Sequence, residues 1–327
     1  MKRFSIATIM LFTPFSYASD EIDFFSFTFE NDAFVRDDGL YTGGLIATWG
    51  YDDVERLDEQ TLPDWLAYLA QKSYLNTQRD KHYAISYSIA HLIQTAIEVK
   101  VEELIEEDAP YVGMFAWESE LTTYDESTID RLSLVLGMVG PAGGGEYVQK
   151  VVHEVIGASE PQGWDNQIGN EFIINLQGER SWRVYDKTLE SSEFDIITGR
   201  HGEIGNLRSD VGIGVGIRWG RGLQNNFSSV SAFPAQKINS AHNSPDGWYV
   251  FANTSAYYVA NDIFIDGNTF QESHSVDLIH LQYGASFGVM ANIYNWNIVY
   301  TLLQLSDQYH GQNERSRFGS LTLTYHF

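Results

Sequence analysis

The sequence predicts an all-β protein: a single antiparallel transmembrane β-barrel of about twelve strands, with one short helix near residues 145–157. The first residues have the pattern of a secretory signal peptide, aromatic residues make up 14% of the chain, and the last residues form an alternating segment that ends in Phe327. Tyrosine and tryptophan favour membrane–water interfaces, where one part of the ring is apolar and the other wet. The ending resembles the assembly signal of Gram-negative outer-membrane barrels; an ordinary amphipathic strand is the alternative.

Residues 1–18 have the three parts of a signal peptide. Met-Lys-Arg is the basic start, residues 4–15 form a largely apolar run, and Ser16, Tyr17 and Ala18 form a small-residue cleavage site. The apolar run is too short to cross a bilayer as a helix. We therefore expect an exported protein whose residues 19–327 form one outer-membrane barrel domain.

Charge and cysteine content narrow the function. The formal net charge is −24, which argues against nucleic acid as a partner. The chain has no cysteine, so disulfides and thiolate chemistry are excluded. So acidic a protein would need a cation to handle anionic ligands.

Alternating segments predict the strands. Residues 23–34 place Phe25, Phe27 and Phe29 on one face and mostly polar side chains on the other, as in a strand between lipid and lumen. A turn at 37–39 follows. The other predicted strands are 41–51, 82–93, 110–124, 127–139, 169–183, 193–200, 207–220, 247–260, 275–290, 293–305 and 316–327, with turns such as 266–268 and 291–292 between them.

Two segments between the strands carry different signals. Residues 63–70 have helical character within the polar stretch 52–81. Residues 98–108 are strongly acidic, which predicts a solvated loop, with a helical turn at most.

The stretch 140–167 contains a clearly helical period. Glycines 143–145 provide a flexible entry, and Gly157 is the expected C-cap. Gln149 and His153 are four residues apart and therefore lie one above the other on one face. On a neighbouring face, apolar residues recur at three- and four-residue steps and predict a stripe that packs against the barrel wall or rim: Val148, Val151, Val152, Val155 and Ile156.

Polar residues cluster where the first two strands meet. Asn31 and Asp32 end the first strand, and Tyr41 and Thr42 begin the second, so the turn between them brings the pairs together. Carboxylate and amide oxygens are hard ligands suited to calcium. An Asn-Asp pair at a strand end is, on spacing alone, more commonly turn chemistry.

His153 on the helix is a candidate general base, because histidine titrates near neutral pH. A lone helical histidine is more commonly structural. The chain has no Gly-x-Ser-x-Gly elbow, and His153-Glu154 is not followed by the second histidine of a zinc motif. Composition and spacing therefore leave the reaction open.

Two strings resemble signatures of the lipid A 3′-O-deacylase family. They are Glu-Asn-Asp-Ala-Phe…Tyr-Thr-Gly-Gly-Leu from residue 30, and Gly-Pro-Ala-Gly-Gly-Gly-Glu-Tyr-Val-Gln-Lys-Val-Val-His-Glu-Val-Ile-Gly-Ala…Gly-Trp-Asp-Asn-Gln from residue 140. The resemblance covers roughly 23–180 by motif and the remainder by strand pattern. It implies a twelve-stranded outer-membrane barrel and calcium-dependent hydrolysis of an ester-linked acyl group on lipid A, at a site inside the barrel near its outer end.

The resemblance also implies roles for individual residues. His153 would take a proton from water. Asp32, with Asn31, would hold calcium or position the histidine, and the cation with nearby amides would stabilise the oxyanion. Thr42 and Gln149 would orient water or substrate.

Substrate contacts match the family less closely. Tyr41 and Lys100 are the implied contacts, and Lys100 is a shifted counterpart of the family's loop lysine. Where the family has an acidic residue and a tyrosine beyond the helix, this chain has Ser159 and Pro161. The implied partners are lipid A or lipopolysaccharide and the outer membrane, the implied cofactor is Ca²⁺, and the expected state is a monomer. A non-catalytic binding or transport barrel and a barrel phospholipase are the alternatives.

Overall fold

A computed structural model describes residues 22–35, 41–54, 57, 62–77, 81–156, 161–224, 227, 231–233, 247–313 and 315–327. The predicted signal peptide 1–18, the predicted C-cap Gly157 and Ser159 lie outside these residues.

Twelve antiparallel strands close into one barrel, in which each strand pairs with its neighbours in sequence and β1 pairs with β12. This confirms the predicted fold class. The strands are β1 Phe24–Asn31, β2 Tyr41–Val54, β3 His82–Gln94, β4 Val112–Tyr124, β5 Thr128–Val139, β6 Glu171–Thr188, β7 Glu193–Gly205, β8 Arg208–Arg221, β9 Trp248–Asp262, β10 Leu281–Ile293, β11 Trp296–Leu305 and β12 Arg317–His326.

Three α-helices occur within the described residues: α1 Asp64–Lys72, α2 Gly145–Ile156 and α3 Ile263–Asp266. The first two confirm the predicted helices at 63–70 and 145–157. Within the described part of the chain, none of these helices has the length and hydropathy to span a membrane.

Several strand bounds and one turn differ from the prediction. β6 and β7 continue to Thr188 and Gly205, beyond the predicted ends at 183 and 200. The predicted strand 275–290 begins later, at Leu281, because Leu278 forms a bridge with Tyr309 in the loop after β11. The predicted turn at 291–292 is wrong: pairing continues to Ile293 opposite Trp296, and Tyr294 adopts the left-handed φ of 55° that a two-residue hairpin turn requires.

The two faces of the wall have opposite character. Outward side chains such as Phe27, Ile213 and Phe287 are exposed and apolar. Many inward side chains are polar and hydrogen-bonded, as in the pairs Thr28 with Thr322 and Thr324 with Ser26. An apolar outer face around a polar interior is the pattern of a membrane-spanning barrel.

The wall has two ends. We call the end where β1 begins and β12 finishes the terminal end, and the opposite end, with Asn31 and Gly319, the distal end. At the terminal end, α1 lies on the outward face, where Leu66 and Ala67 belong to one buried cluster with Ile85 of β3. The exposed face of α1 carries the large apolar residues Trp65, Tyr68 and Leu69.

The loop between β8 and β9 enters the lumen from the terminal end. Ala232 and Phe233 are buried there, and the Ser231 hydroxyl donates to Glu179 Oε2 at 3.1 Å. Two inward glycines make room for them: a Cβ at Gly214 would lie 2.6 Å from the Ala232 carbonyl oxygen, and one at Gly199 would lie 3.0 Å from Ala232 Cβ. This segment occupies the lumen as a plug.

The lumen is also filled near the distal end. Inward apolar residues of β4, β5 and β6 form a buried cluster with Ile263 of α3. The inward Gln94 of β3 donates its amide to the Phe264 carbonyl at 2.6 Å, which ties α3 across the mouth to the far wall. Within the described residues, the interior is therefore a packed core rather than an open channel.

We predict that reconstituted protein shows no steady ion conductance across planar bilayers, and that Gly214→Leu creates one. A leucine at 214 would collide with the backbone of Ala232 and displace the plug. Gly178→Leu is the matched control, since a Cβ at Gly178 has open space around it. Steady, porin-like currents from the unaltered protein would contradict the packed interior.

Candidate active site on the outward face of the barrel wall

A row of small residues crosses the outward face of the wall at the distal end. Asn31 of β1 pairs with Gly43 of β2, Gly43 with Ile93 of β3, and Ile93 with Gly113 of β4. Because successive side chains of a strand point to opposite faces, the residues of this row face away from the lumen. The first turn of α2 lies against it, because a Cβ at Gly113 would be 2.5 Å from the Gly145 nitrogen.

This position corrects the expectation that the site lies inside the barrel. The chain leaves β5 at Val139, crosses the rim through 140–144, and starts α2 on the outer side of the wall. Glycines at 113, 143 and 145 allow this, because a Cβ at Gly143 would lie 2.2 Å from the Gly113 carbonyl oxygen. The close backbone contact leaves no space for larger residues.

The wall-facing side of α2 is more polar than predicted. Gln149 is only 2% exposed, and its Oε1 accepts a 2.8 Å hydrogen bond from the Trp164 indole. Val148 packs on the cluster that contains Ile93 and Trp164. Val151, predicted to belong to a stripe against the wall, is 43% exposed instead. Gln149 is thus part of the interface through which α2 packs on the barrel.

Hydrogen bonds join Asn31 to the start of β2. Its Nδ2 donates to the Thr42 carbonyl at 2.9 Å, and its Oδ1 accepts from the Ala33 nitrogen at 3.0 Å. The Thr42 hydroxyl lies 2.9 Å from that of the buried Thr95, just beyond β3. Asn31 therefore performs turn chemistry and also fixes the rim of three strands.

Asp32 and His153 belong to segments that begin at this end of the wall. Asp32 opens a 3₁₀ turn, Asp32–Val35, whose Phe34 covers the outward side of Gly319 on β12. His153 lies two turns after Gly145, about 12 Å along the helix axis. Both side chains are half-buried.

The two predicted substrate contacts lie elsewhere. A β-bulge between Tyr41 and Gly43 turns the Tyr41 side chain into the lumen, where its hydroxyl donates to Glu30 Oε2 at 2.6 Å and its ring contacts Phe318. Lys100 is exposed in the loop between β3 and β4. Tyr41 and α2 are therefore on opposite faces of the wall.

A second imidazole, which the sequence reasoning missed, lies beside α2. His91 of β3 faces outward, and its Nε2 is 2.9 Å from the Gly143 carbonyl oxygen. Its Nδ1 is buried and makes no hydrogen bond to any described residue. A polar side chain in the outward phase of an otherwise apolar strand was the available signal.

The distal loops converge on Asp108, which corrects the prediction that 98–108 is entirely solvated. Its carboxylate accepts hydrogen bonds from the Ile97 nitrogen at 2.8 Å, the Ala109 nitrogen at 2.7 Å and the Tyr309 hydroxyl at 3.0 Å. Its carbonyl oxygen is 2.7 Å from His274 Nε2. Burial, followed by the charge of Asp108, raises the pKa of Tyr309.

We predict that Asp108→Asn loosens these loops, because an amide cannot satisfy all the donors that face the carboxylate. Each buried donor left without an acceptor costs about 1–3 kcal/mol. Amide hydrogen exchange at Ile97 and Ala109 should accelerate roughly tenfold or more. Glu107→Gln is the exposed neighbouring control. Equal exchange in both variants would show that Asp108 does not organise the loops.

Comparisons with known proteins bear on the fold and the family. A family model described as the outer membrane protein LpxR matches residues 4–327. The solved structure of LpxR from Salmonella typhimurium is similar, at 18% identity and a TM-score of 0.76, over 93% of this chain and 100% of that one. The β domain of the Bordetella autotransporter BrkA follows at 8% identity and a TM-score of 0.45, over 94% and 100%. A search of curated proteins found no match.

Proposed function

The chain belongs to the LpxR family of outer membrane proteins, and on this premise we propose that it is an outer-membrane hydrolase that removes an ester-linked acyl or acyloxyacyl group from lipid A. The observation that carries the proposal is the placement of α2, with His153, on the outward face of the wall at the end that also holds Asn31 and Thr42. A monomer is sufficient, because these residues come from one chain.

An outward site suits a substrate that is itself a membrane lipid. The acyl chains of such a glycolipid would lie among the apolar side chains that face the bilayer, such as the exposed Phe115 of β4, two residues after Gly113. The ester at their upper end can then reach the distal rim by lateral diffusion. A lumenal site would require the lipid to leave the bilayer and enter an interior that is already packed.

The course of α2 supports the grouping of His153 with the rim of β1 and β2. The helix starts over Gly113 of β4, and its Val148 packs on the cluster that includes Ile93 of β3. The main contacts of α2 with the wall are therefore on β4 and on β3, the strand next to β2.

In the proposed reaction, His153 accepts a proton from the attacking water as hydroxyl adds to the ester carbonyl. The imidazolium then returns the proton to the leaving sugar oxygen. Gln149 and Trp164 act as positioning residues, since their hydrogen bond fixes the rotation of α2. Asn31 and Thr42 hold the rim of β1 and β2 at the same end of the barrel.

The donor set at the end of β1 fits calcium. Asp32 supplies a carboxylate, and Asn31 Oδ1 accepts one hydrogen bond from Ala33, which leaves a lone pair for a cation. These two residues would hold the ion. When bound, calcium supplies positive charge that stabilises the tetrahedral oxyanion.

A transport barrel is the main alternative, and the packed lumen argues against it. A barrel phospholipase is the second. It would act on the same membrane and share the outward approach, but it would need a serine nucleophile beside the histidine.

Lipid A profiling separates these functions. The gene is expressed in a Gram-negative host with fully acylated lipid A, and lipid A is analysed by mass spectrometry beside a His153→Ala strain. We expect a species lacking one acyl or acyloxyacyl unit in the first strain alone. Unchanged lipid A together with free fatty acid and lysophospholipid would identify a phospholipase. Unchanged lipid A with altered solute uptake would identify a transport barrel.

A further inference from the structure

A second cluster of ligand-type side chains lies inside the barrel, on the other side of the wall and away from α2. His201 and Glu203 of β7 and Asp210 of β8 face the lumen near the distal mouth, and Glu203 pairs directly with Asp210 across the two strands. His201 and Asp210 are buried, and Glu203 is half-buried. The proposed deacylase reaction uses none of them.

The spacing of the three side chains matches a metal site. One ligand atom from each residue lies within 4.8 Å of the other two, and His201 Nε2 is 3.4 Å from Asp210 Oδ1. Ligand atoms about 2.0–2.2 Å from a tetrahedral zinc ion are roughly 3.3–3.5 Å apart. A small rotation of Glu203 completes three protein ligands on one side of such an ion.

Two buried atoms in the cluster, His201 Nδ1 and Asp210 Oδ1, have no hydrogen-bond partner among the described residues. Asp210 Oδ1 is inaccessible to solvent and accepts no hydrogen bond from any described residue, although it points toward the imidazole of His201. Burying a carboxylate oxygen without a hydrogen-bond partner costs folding free energy. A cation bound between Asp210 and His201 would remove that cost.

The balance of charge around the cluster also favours a bound cation. Arg208 contacts three carboxylates: Glu203 at 3.3 Å, Asp210 at 2.7 Å and Asp262 at 2.6 Å. Among the described residues, Arg208 is the one arginine that forms ion pairs with these three carboxylates. A bound divalent ion would balance the remaining negative charge.

Hydrogen bonds from the neighbouring strand β6 also hold the carboxylate of Glu203 in place. Its Oε2 accepts hydrogen bonds from Asn175 Nδ2 and Gln177 Nε2 of β6, both at 2.9 Å. Outer partners of this kind orient metal ligands and raise affinity. They fix Glu203 on the side of the cluster nearest the mouth, through which an ion can enter.

We propose that His201, Glu203 and Asp210 form a binding site for a divalent transition-metal ion of the zinc type, which ties β7 to β8 inside the distal mouth. The imidazole nitrogen favours zinc, nickel or copper over calcium, which prefers oxygen ligands throughout. The site is separate from the calcium-type donors Asn31 and Asp32 and is independent of the proposed hydrolysis. Its role is structural, because the plug residue Phe233 packs on His201 at 5.5 Å between ring centres.

The test measures metal uptake by the folded full-length barrel. Protein stripped with a chelator and dialysed is titrated with Zn²⁺ by calorimetry, and bound zinc is counted by elemental analysis. We expect one tightly held ion per chain in the unaltered protein and in His153→Ala, and no such ion in His201→Gln. Heat-modifiable migration on gels verifies that each variant is a folded barrel. Gln177→Met, which removes one hydrogen bond to Glu203, should weaken binding about tenfold.

Spectroscopy of the unaltered chain keeps the proposal testable if His201→Gln fails to fold. Co²⁺-loaded protein should show the visible absorption of a four- or five-coordinate site with nitrogen and oxygen ligands, and X-ray absorption of the zinc form should show one imidazole. Absence of tight zinc uptake, or uptake that His201→Gln retains, would overturn the proposal. In either case the cluster is better described as a metal-free pair of His201 and Asp210.

Discussion

His153→Gln is expected to lower the rate of lipid A deacylation by on the order of 10²–10⁴-fold, because glutamine keeps a polar side chain on α2 but cannot accept and return a proton. Purified barrel and lipid A are mixed in detergent with calcium, and product is quantified by mass spectrometry. The loss should lie in kcat, with little change in KM, because the imidazole acts on water rather than on bound substrate.

His91→Gln is the sharpest control for this result. His91 is also an imidazole on the outward face beside α2, but its Nε2 lies against the Gly143 carbonyl oxygen and so supports the entry to the helix. Its replacement should reduce activity modestly and leave the pH profile unchanged. If His91→Gln removes activity while His153→Gln retains it, the proton acceptor has been assigned to the wrong histidine.

The strands could be predicted because their signal is local. Alternation of apolar and polar residues, with turn residues between, was sufficient to locate all twelve. The errors arose where a distant partner decided the boundary. Leu278 forms a bridge with Tyr309, and Ile293 continues to pair opposite Trp296, and neither choice is visible in a window of neighbouring residues.

The side of the wall on which α2 lies could not be predicted in the same way. It depends on Gly43 and Gly113, which are 70 positions apart in sequence but occupy one outward row once the strands are in register. Periodicity alone assigned Val151 to the wall and Gln149 to a neighbouring face. The structure reverses this, because Trp164 offers the Gln149 amide a buried hydrogen bond.

The plug had a weak signal that the sequence reasoning did not use. Inward positions of β8 carry Gly212, Gly214 and Gly216, a run that leaves one wall of the lumen without side chains. Glycine in a strand marks close approach of another group. Here the approaching group at Gly214 is Ala232, from a loop that the strand pattern left unassigned.

Calcium removal is the second change with a large expected effect. Chelation by EGTA should abolish deacylation, and added Ca²⁺ should restore it, because the oxyanion would lose its compensating positive charge. Asp32→Asn should raise the calcium concentration needed for half-maximal activity by about tenfold or more, since it keeps an oxygen ligand but removes the negative charge. Asp165→Asn, an exposed acid in the loop after α2, is the matched control.

The zinc-type site in the lumen makes the two metal effects separable. EGTA in the presence of Zn²⁺ at a buffered free concentration removes calcium while the cluster of His201, Glu203 and Asp210 stays occupied. Activity that disappears under these conditions, and reappears with Ca²⁺ alone, belongs to the donors at Asn31 and Asp32. If activity instead follows zinc and is insensitive to Asp32→Asn, the outward donors do not hold the catalytic cation. The hydrolysis would then need a source of positive charge other than the end of β1.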